Sequence, residues 1–134
     1  MKKFEILTLP LFSDDRGETI PLELDSSFPF EVKRVYFVSS NQNAVRGGHA
    51  HKIEDELFIA VSGEITALIN DGSGDKEIVL DQKNKALLVR KGCWHEFKNF
   101  SKGAILTCFS STHYLPGETN YICDKSAFLD NTDK

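Results

Sequence analysis

Short runs of β-branched, aromatic and aliphatic residues recur along the chain, at Phe4 to Leu9, Ile20 to Leu24, Val35 to Ser39, Glu56 to Val61, Glu64 to Ile69, Lys76 to Leu80, Ala86 to Val89 and Ala104 to Phe109. Turn formers separate them. Ser62-Gly63 marks one reversal, and Asp71-Gly72 followed by Ser73-Gly74 reads as a tight hairpin. Runs this short hold few helical turns, and their composition suits a pleated, half-buried surface. The pattern predicts an all-β barrel or sandwich rather than an α/β fold. Only Lys125 to Leu129 suggests a helical turn, and Asp130 to Lys134 reads as a polar, frayed tail.

Length and composition narrow this reading. A chain of 134 residues with 40% hydrophobic and 27% charged residues fits one globular domain over residues 1–134, so one pocket is expected. No apolar run approaches the length of a membrane span. The basic start Met1-Lys2-Lys3 leads into a short alternating segment, so a cytoplasmic protein with no membrane partner is expected. The net charge is −4 and the basic residues form no long stripe, which argues against a nucleic-acid partner. A small anion could still be held by local cations, for which Arg16, Lys33, Arg34, Arg46, Lys52, Arg90 and Lys91 are candidates. Cys93, Cys108 and Cys123 show no CxxC spacing and are expected as small residues in or near a core.

The chemistry concentrates at His49-Ala50-His51. On a strand, side chains at i and i+2 share a face, so these two imidazoles would converge. Alone, such a pair is more often a surface accident than a site, since histidine readily sits half exposed. Its neighbours change that: Glu56 follows His51, Gly63 follows Glu56, and Gly92, His95 and Asn99 lie downstream as GxxHxxxN. This spacing resembles the two-part signature of cupins, with Arg90 where the second part usually has proline. The resemblance implies an RmlC-like jelly-roll barrel, a double-stranded β-helix, whose interior would gather His49, His51, Glu56 and His95. Three imidazoles and a carboxylate suit a divalent transition metal, and without metal they form a set of proton-transfer groups. Spacing leaves both uses open.

A narrower resemblance covers Phe4 to about Ile122. Asp15-Arg16-Gly17, the run Phe30-Glu31-Val32-Lys33-Arg34-Val35-Tyr36, the run Arg46-Gly47-Gly48-His49-Ala50-His51-Lys52, Trp94-His95-Glu96, Phe100-Ser101 and Glu118-Thr119-Asn120-Tyr121-Ile122 look like the dTDP-4-keto-6-deoxyglucose 3,4-ketoisomerases, the WxcM-like or FdtA-like sugar-nucleotide cupins. The resemblance implies tautomerisation of a dTDP-linked 4-keto-6-deoxy sugar through an enediol, with no cofactor and no metal. It makes His51 the base, His49 its partner in proton movement, and Tyr36 a partner of the sugar oxygens. It makes Arg16, Arg34, Arg46, Lys52, His95, Tyr114 and Tyr121 substrate-binding residues. It further implies a homodimer in which residues 1–10 could be exchanged between subunits.

Some positions read differently. Alternation puts Trp94 on the face opposite His95, which favours a core role, and His113 falls in a predicted surface loop. The segment from His113 to Lys125 departs from the family's usual tyrosine-rich tail. Glu56 is a second departure, since a neutral residue such as glutamine is common there, and its carboxylate would complete the metal set His49, His51, Glu56 and His95.

Overall fold

The structure is a computed structural model that describes residues 2–41 and 44–132. Its strands are β1 (Phe4–Thr8), β2 (Phe12–Asp14), β3 (Gly17–Thr19), β4 (Arg34–Val38), β5 (Arg46–His51), β6 (Glu56–Ser62), β7 (Ile65–Asn70), β8 (Asp75–Leu80), β9 (Lys85–Val89), β10 (Trp94–Lys98), β11 (Ile105–Ser110) and β12 (Tyr121–Ile122). A 3-10 turn at Gly117–Thr119 and one helix, α1 (Lys125–Thr132), complete the described elements. Two antiparallel sheets, ordered β1-β9-β6-β11-β4 and β12-β5-β10-β7-β8, face each other as the two halves of a cupin barrel, and β2 and β3 form a separate hairpin. The expected all-β class and jelly-roll architecture are both observed.

Alternation along the strands builds one interior. Val38, Leu106 and Ala60 share one cross-strand rung, Tyr36, Cys108 and Phe58 the next, and Arg34, Ser110 and Glu56 a third. The interior therefore passes from apolar to polar within four residues of β4. At the apolar end Ile65, Ala67, Ile78, Leu80 and Leu106 are buried together. Gly63, where the first cupin motif ends, takes φ +72°, and a Cβ there would sit 2.9 Å from Ala104 Cα. Asn99, where the second ends, takes φ +55°, a conformation asparagine tolerates better than most residues. Both motif positions thus answer to turn geometry.

The outer faces are covered separately. On the first sheet Leu57, Ile59, Ala86 and Leu88 pack against Leu22, Phe28 and Phe30, and on the second Ala50 and Trp94 pack against Phe128 of α1. The expected strand at Ile20 to Leu24 is therefore an irregular cover. Pro21 lacks the donor a sheet ladder needs, and Leu22 contributes its side chain to packing instead. The expected single helical turn at 125–129 extends to Thr132, with Asp124 accepting from the Ser126 amide and Lys125 paired with Asp75. Of the expected frayed tail, 130–132 are helical and 133–134 lie outside the described residues. Strand β1 pairs in register with β9 of its own chain. No helix of the described residues is long and apolar enough to cross a membrane.

Candidate active site

Strand β5 carries the histidines, and a bulge decides what else reaches them. His49 stands opposite His95, but Gly47, not Gly48, stands opposite Glu96, so Gly48 is an extra residue. Gly47 and Gly48 both take positive φ, and a Cβ on Gly47 would press on the His95 carbonyl at 3.2 Å. The added residue turns Arg46, three positions from His49, toward the same side. Arg46, Gly47 and His49 together line a cavity of about 310 Å³ with Arg34, Tyr36, His95, Phe97, Tyr114 and Tyr121. A wider cleft of about 810 Å³ continues from it, sharing His49, Tyr114 and Tyr121 and adding Lys52, Cys123 and Asp124.

The four motif residues meet as expected: ligand atoms of His49, His51, Glu56 and His95 all lie within 4.8 Å of one another. Glu56, fully buried, is the hub. Its Oε2 accepts from the Tyr36 hydroxyl at 2.5 Å and from the Cys108 thiol at 2.9 Å. Its Oε1 lies 3.0 Å from His51 Nδ1 and 3.6 Å from His95 Nε2 without a formed hydrogen bond to either. His51 is 3% exposed and does not line the cavity; its ring stands behind His49, at 4.7 Å between centroids, and against Tyr121 at 4.9 Å.

Burial and neighbouring charge sort the protonation states. Burial, with the His51 ring beside it, pushes His49 down to about 4 against the pull of Glu56. Burial likewise pushes His95 down to about 3, with Glu56 opposing, so both rings are neutral at pH 7. For Glu56 burial acts upward, but the adjacent His51, helped by His95 and Cys108, outweighs it and holds the carboxyl well below the usual range. Burial and the Glu56 charge push the Tyr36 phenol far above its ordinary value, and the Cys108 thiol also moves up. The site thus holds a neutral imidazole at the cavity surface and fixed negative charge behind it.

Other predicted residues separate. Arg34, Arg46, His95, Tyr114 and Tyr121 line the cavity and Lys52 lines the outer cleft. Arg16 does not reach either: it lies at the tip of the β2–β3 hairpin, exposed, with its guanidinium on Asp14 at 2.6 Å. Of the other candidate cations, Lys33 pairs with Glu31 in the open, and Arg90 lies 3.6 Å from Asp55, whose carboxylate also accepts the Lys91 amide. Trp94 is buried on the outer face against Phe128 and His113 is exposed in a loop, both as expected. Cys93 and Cys108 are buried, but Cys123 is exposed. Sequence reasoning missed Glu54, Cys108, Ser110 and Asn120. Alternation on β11 from Leu106 would have aimed Cys108 and Ser110 inward, and the acidic run Glu54-Asp55-Glu56 opening an apolar strand was the available signal for Glu54.

The chain is similar to known proteins along its whole described length. The family described as FdtA, WxcM-like, C-terminal, matches residues 2–133. The TDP-4-oxo-6-deoxy-α-D-glucose-3,4-oxoisomerase of Aneurinibacillus thermoaerophilus is 30% identical over 119 residues, covering 88% of this chain and 84% of that protein. Among solved structures, a 3,4-ketoisomerase from Helicobacter canadensis is 36% identical with TM-score 0.89 over the whole of both chains. The WlaRB TDP-quinovose 3,4-ketoisomerase of Campylobacter jejuni is 38% identical with TM-score 0.87, covering 98% of this chain and 100% of that one.

Proposed function

The chain belongs to the FdtA, WxcM-like family, and from that premise we propose that it is a sugar-nucleotide 3,4-ketoisomerase acting on a TDP-linked 4-keto-6-deoxy sugar. The observation that carries this reading is a neutral His49 at the surface of a cavity of about 310 Å³, with Arg34 and Tyr36 across from it. A ketone at C4 acidifies the hydrogen at C3. His49 removes that proton, the C3–H electron pair forms the C3=C4 double bond, and the C4 oxygen takes a proton to give an enediol. Loss of the proton on the C3 oxygen and delivery of a proton to C4 leaves the ketone at C3, so atoms and electrons balance without an oxidant.

The geometry favours His49 over His51 for the first transfer, because His51 is screened from the cavity by its neighbours. His51 instead stands behind the base, with its Nδ1 3.0 Å from Glu56 Oε1. Tyr36 already donates its hydroxyl hydrogen to Glu56, so its free lone pairs suit it to accept from a sugar hydroxyl. The Arg34 guanidinium, 4.9 Å over the Tyr36 ring, supplies positive charge for the enediolate, and such preorganised charge commonly supplies much of the rate enhancement. Arg46 and Lys52, toward the wider cleft, suit the diphosphate. Among the described residues Arg16 lines neither the cavity nor the wider cleft, and an exposed hairpin that also bears Phe12 suits contact with a second copy in a homodimer.

A second reading is favoured by Glu56 Oε1, buried without a formed hydrogen bond among three imidazoles: His49, His51, Glu56 and His95 would hold a divalent metal. An NMR time course with dTDP-4-keto-6-deoxyglucose in deuterated water tests both readings. The isomerase reading expects a 3-keto product and deuterium uptake by untagged enzyme whose metal content is far below stoichiometric. Stoichiometric metal with activity lost on chelation would establish the second reading; no turnover in either state would remove both.

A further inference from the structure

Glu54 is fully buried, and no step described above uses it. It lies in the turn from β5 to β6, and every direction its carboxylate faces is occupied. Oε2 accepts from the Ser110 hydroxyl at 2.5 Å and from Arg34 Nη2 at 3.0 Å. Oε1 accepts from Asn120 Nδ2 at 2.7 Å and faces His51 Nε2 at 3.8 Å. A buried carboxylate is costly unless its oxygens are matched, and this one is matched by four different parts of the fold.

Three of those parts, Arg34, His51 and Asn120, build the site itself. Arg34 closes one wall of the cavity. His51 backs His49. Asn120 ties down the segment that precedes Tyr121: its carbonyl accepts the Lys52 amide at 2.6 Å and its Oδ1 accepts the Ile53 amide at 3.3 Å. Tyr121 then lies edge-on to His49 and His51, with ring centroids at 4.8 and 4.9 Å. His51 consequently has a carboxylate on each side, Glu56 at Nδ1 and Glu54 at Nε2. Glu56 holds the ring from within the barrel, while Glu54 links it to the wall made by the segment that carries Asn120 and Tyr121.

We propose that Glu54 is the positioning residue of this site, its carboxylate locking the C-terminal segment that carries Tyr121 to Arg34 and His51 so that the cavity is closed with its reacting groups in register. It touches no substrate and acts through the groups it holds. Closure and catalytic geometry are then one event, since undocking Asn120 removes a partner from the carboxylate that orients Arg34. The inference rests on the isomerase reading for its kinetic arm but not for its structural one.

The test uses the full chain. Glu54→Gln keeps the volume but cannot offer two anionic oxygens, so kcat should fall about 10²-fold with KM within about 3-fold, the signature of misplacement rather than lost binding. Hydrogen exchange of residues 117–122 should rise while that of β6 and β11 stays unchanged. Asn120→Asp, which sets a second carboxyl group against Glu54 in place of its amide donor and so undocks the segment, should reproduce both effects, and it carries the test if Glu54→Gln does not fold. Leu80→Ala, at the apolar end, should lower Tm while leaving kcat per folded molecule unchanged. Wild-type kcat in Glu54→Gln, or in Asn120→Asp where only that variant folds, would overturn the proposal. So would a loss confined to KM, or unchanged exchange at 117–122. An inactive wild-type protein would instead sink the isomerase reading, leaving the exchange result to decide the role of Glu54.

Discussion

The two ends of the barrel interior are built on the same strands and do opposite things. Around Leu80, Ile65 and Leu106 the inward positions are apolar, closely packed, and serve only to hold the sheets together. Four residues along β4, Arg34 replaces Val38, and the same inward alternation delivers Glu56, Ser110, Tyr36 and His95 instead. The apolar end makes no demand on protonation. At the polar end almost every group has its proton affinity displaced by burial and by its neighbours, and each matched contact there compensates a desolvation cost that the other end does not have.

The sharpest way to break this comparison is to alter the group at the boundary with the cavity. His49→Asn keeps a polar side chain but no base, so kcat should fall about 10³-fold or more with the fold intact by circular dichroism, within the range that general-base catalysis contributes. Tyr36→Phe removes one of two donors to Glu56 Oε2 and the acceptor proposed for the sugar hydroxyl, and kcat should drop about 10²-fold in a steady-state assay.

Acidity tests the same contrast without mutation. His49 and His95 have folded values of about 4 and about 3, below the ordinary 6.5, so unfolded chains bind more protons than folded ones below that pH. Their neutral burial is therefore compatible with full stability above 6.5, and stability should decline as pH falls from 6.5 toward about 4 and about 3, each ring approaching a slope of about 1.4 kcal/mol per pH unit. Glu56, held down in the folded state, adds to the loss in the more acidic part of that range. Denaturant titrations at several pH values read this directly. The acid limb of kcat should lie near pH 4 rather than near 6.5, since the base is already neutral above it. The smallest effect on turnover belongs to the apolar end: Leu80→Ala should cost about 2–5 kcal/mol of stability and leave kcat of the folded enzyme unchanged.

The sequence makes the barrel legible because most inward positions follow period-two alternation, and because Gly63 and Asn99 mark turns whose backbone excludes most other residues. The convergence of His49, His51, Glu56 and His95 follows from the same alternation. What was not legible depends on breaks in it. The bulge at Gly48 turns Arg46 to the side of His49, and Pro21 makes Ile20 to Leu24 a cover despite its strand-like composition. Glu54 and Asn120 meet across 66 positions, a contact that no local pattern encodes. The depth of His51 behind His49 was equally hidden, because an i, i+2 pair shares a face without sharing exposure.

The most direct measurement is deuterium incorporation at C3 of a bound 4-keto-6-deoxy sugar nucleotide, followed by NMR in His49→Asn beside the wild-type enzyme. The account predicts rapid exchange in the wild type and none in the variant, with the nucleotide still bound. Exchange at the wild-type rate in His49→Asn would contradict it.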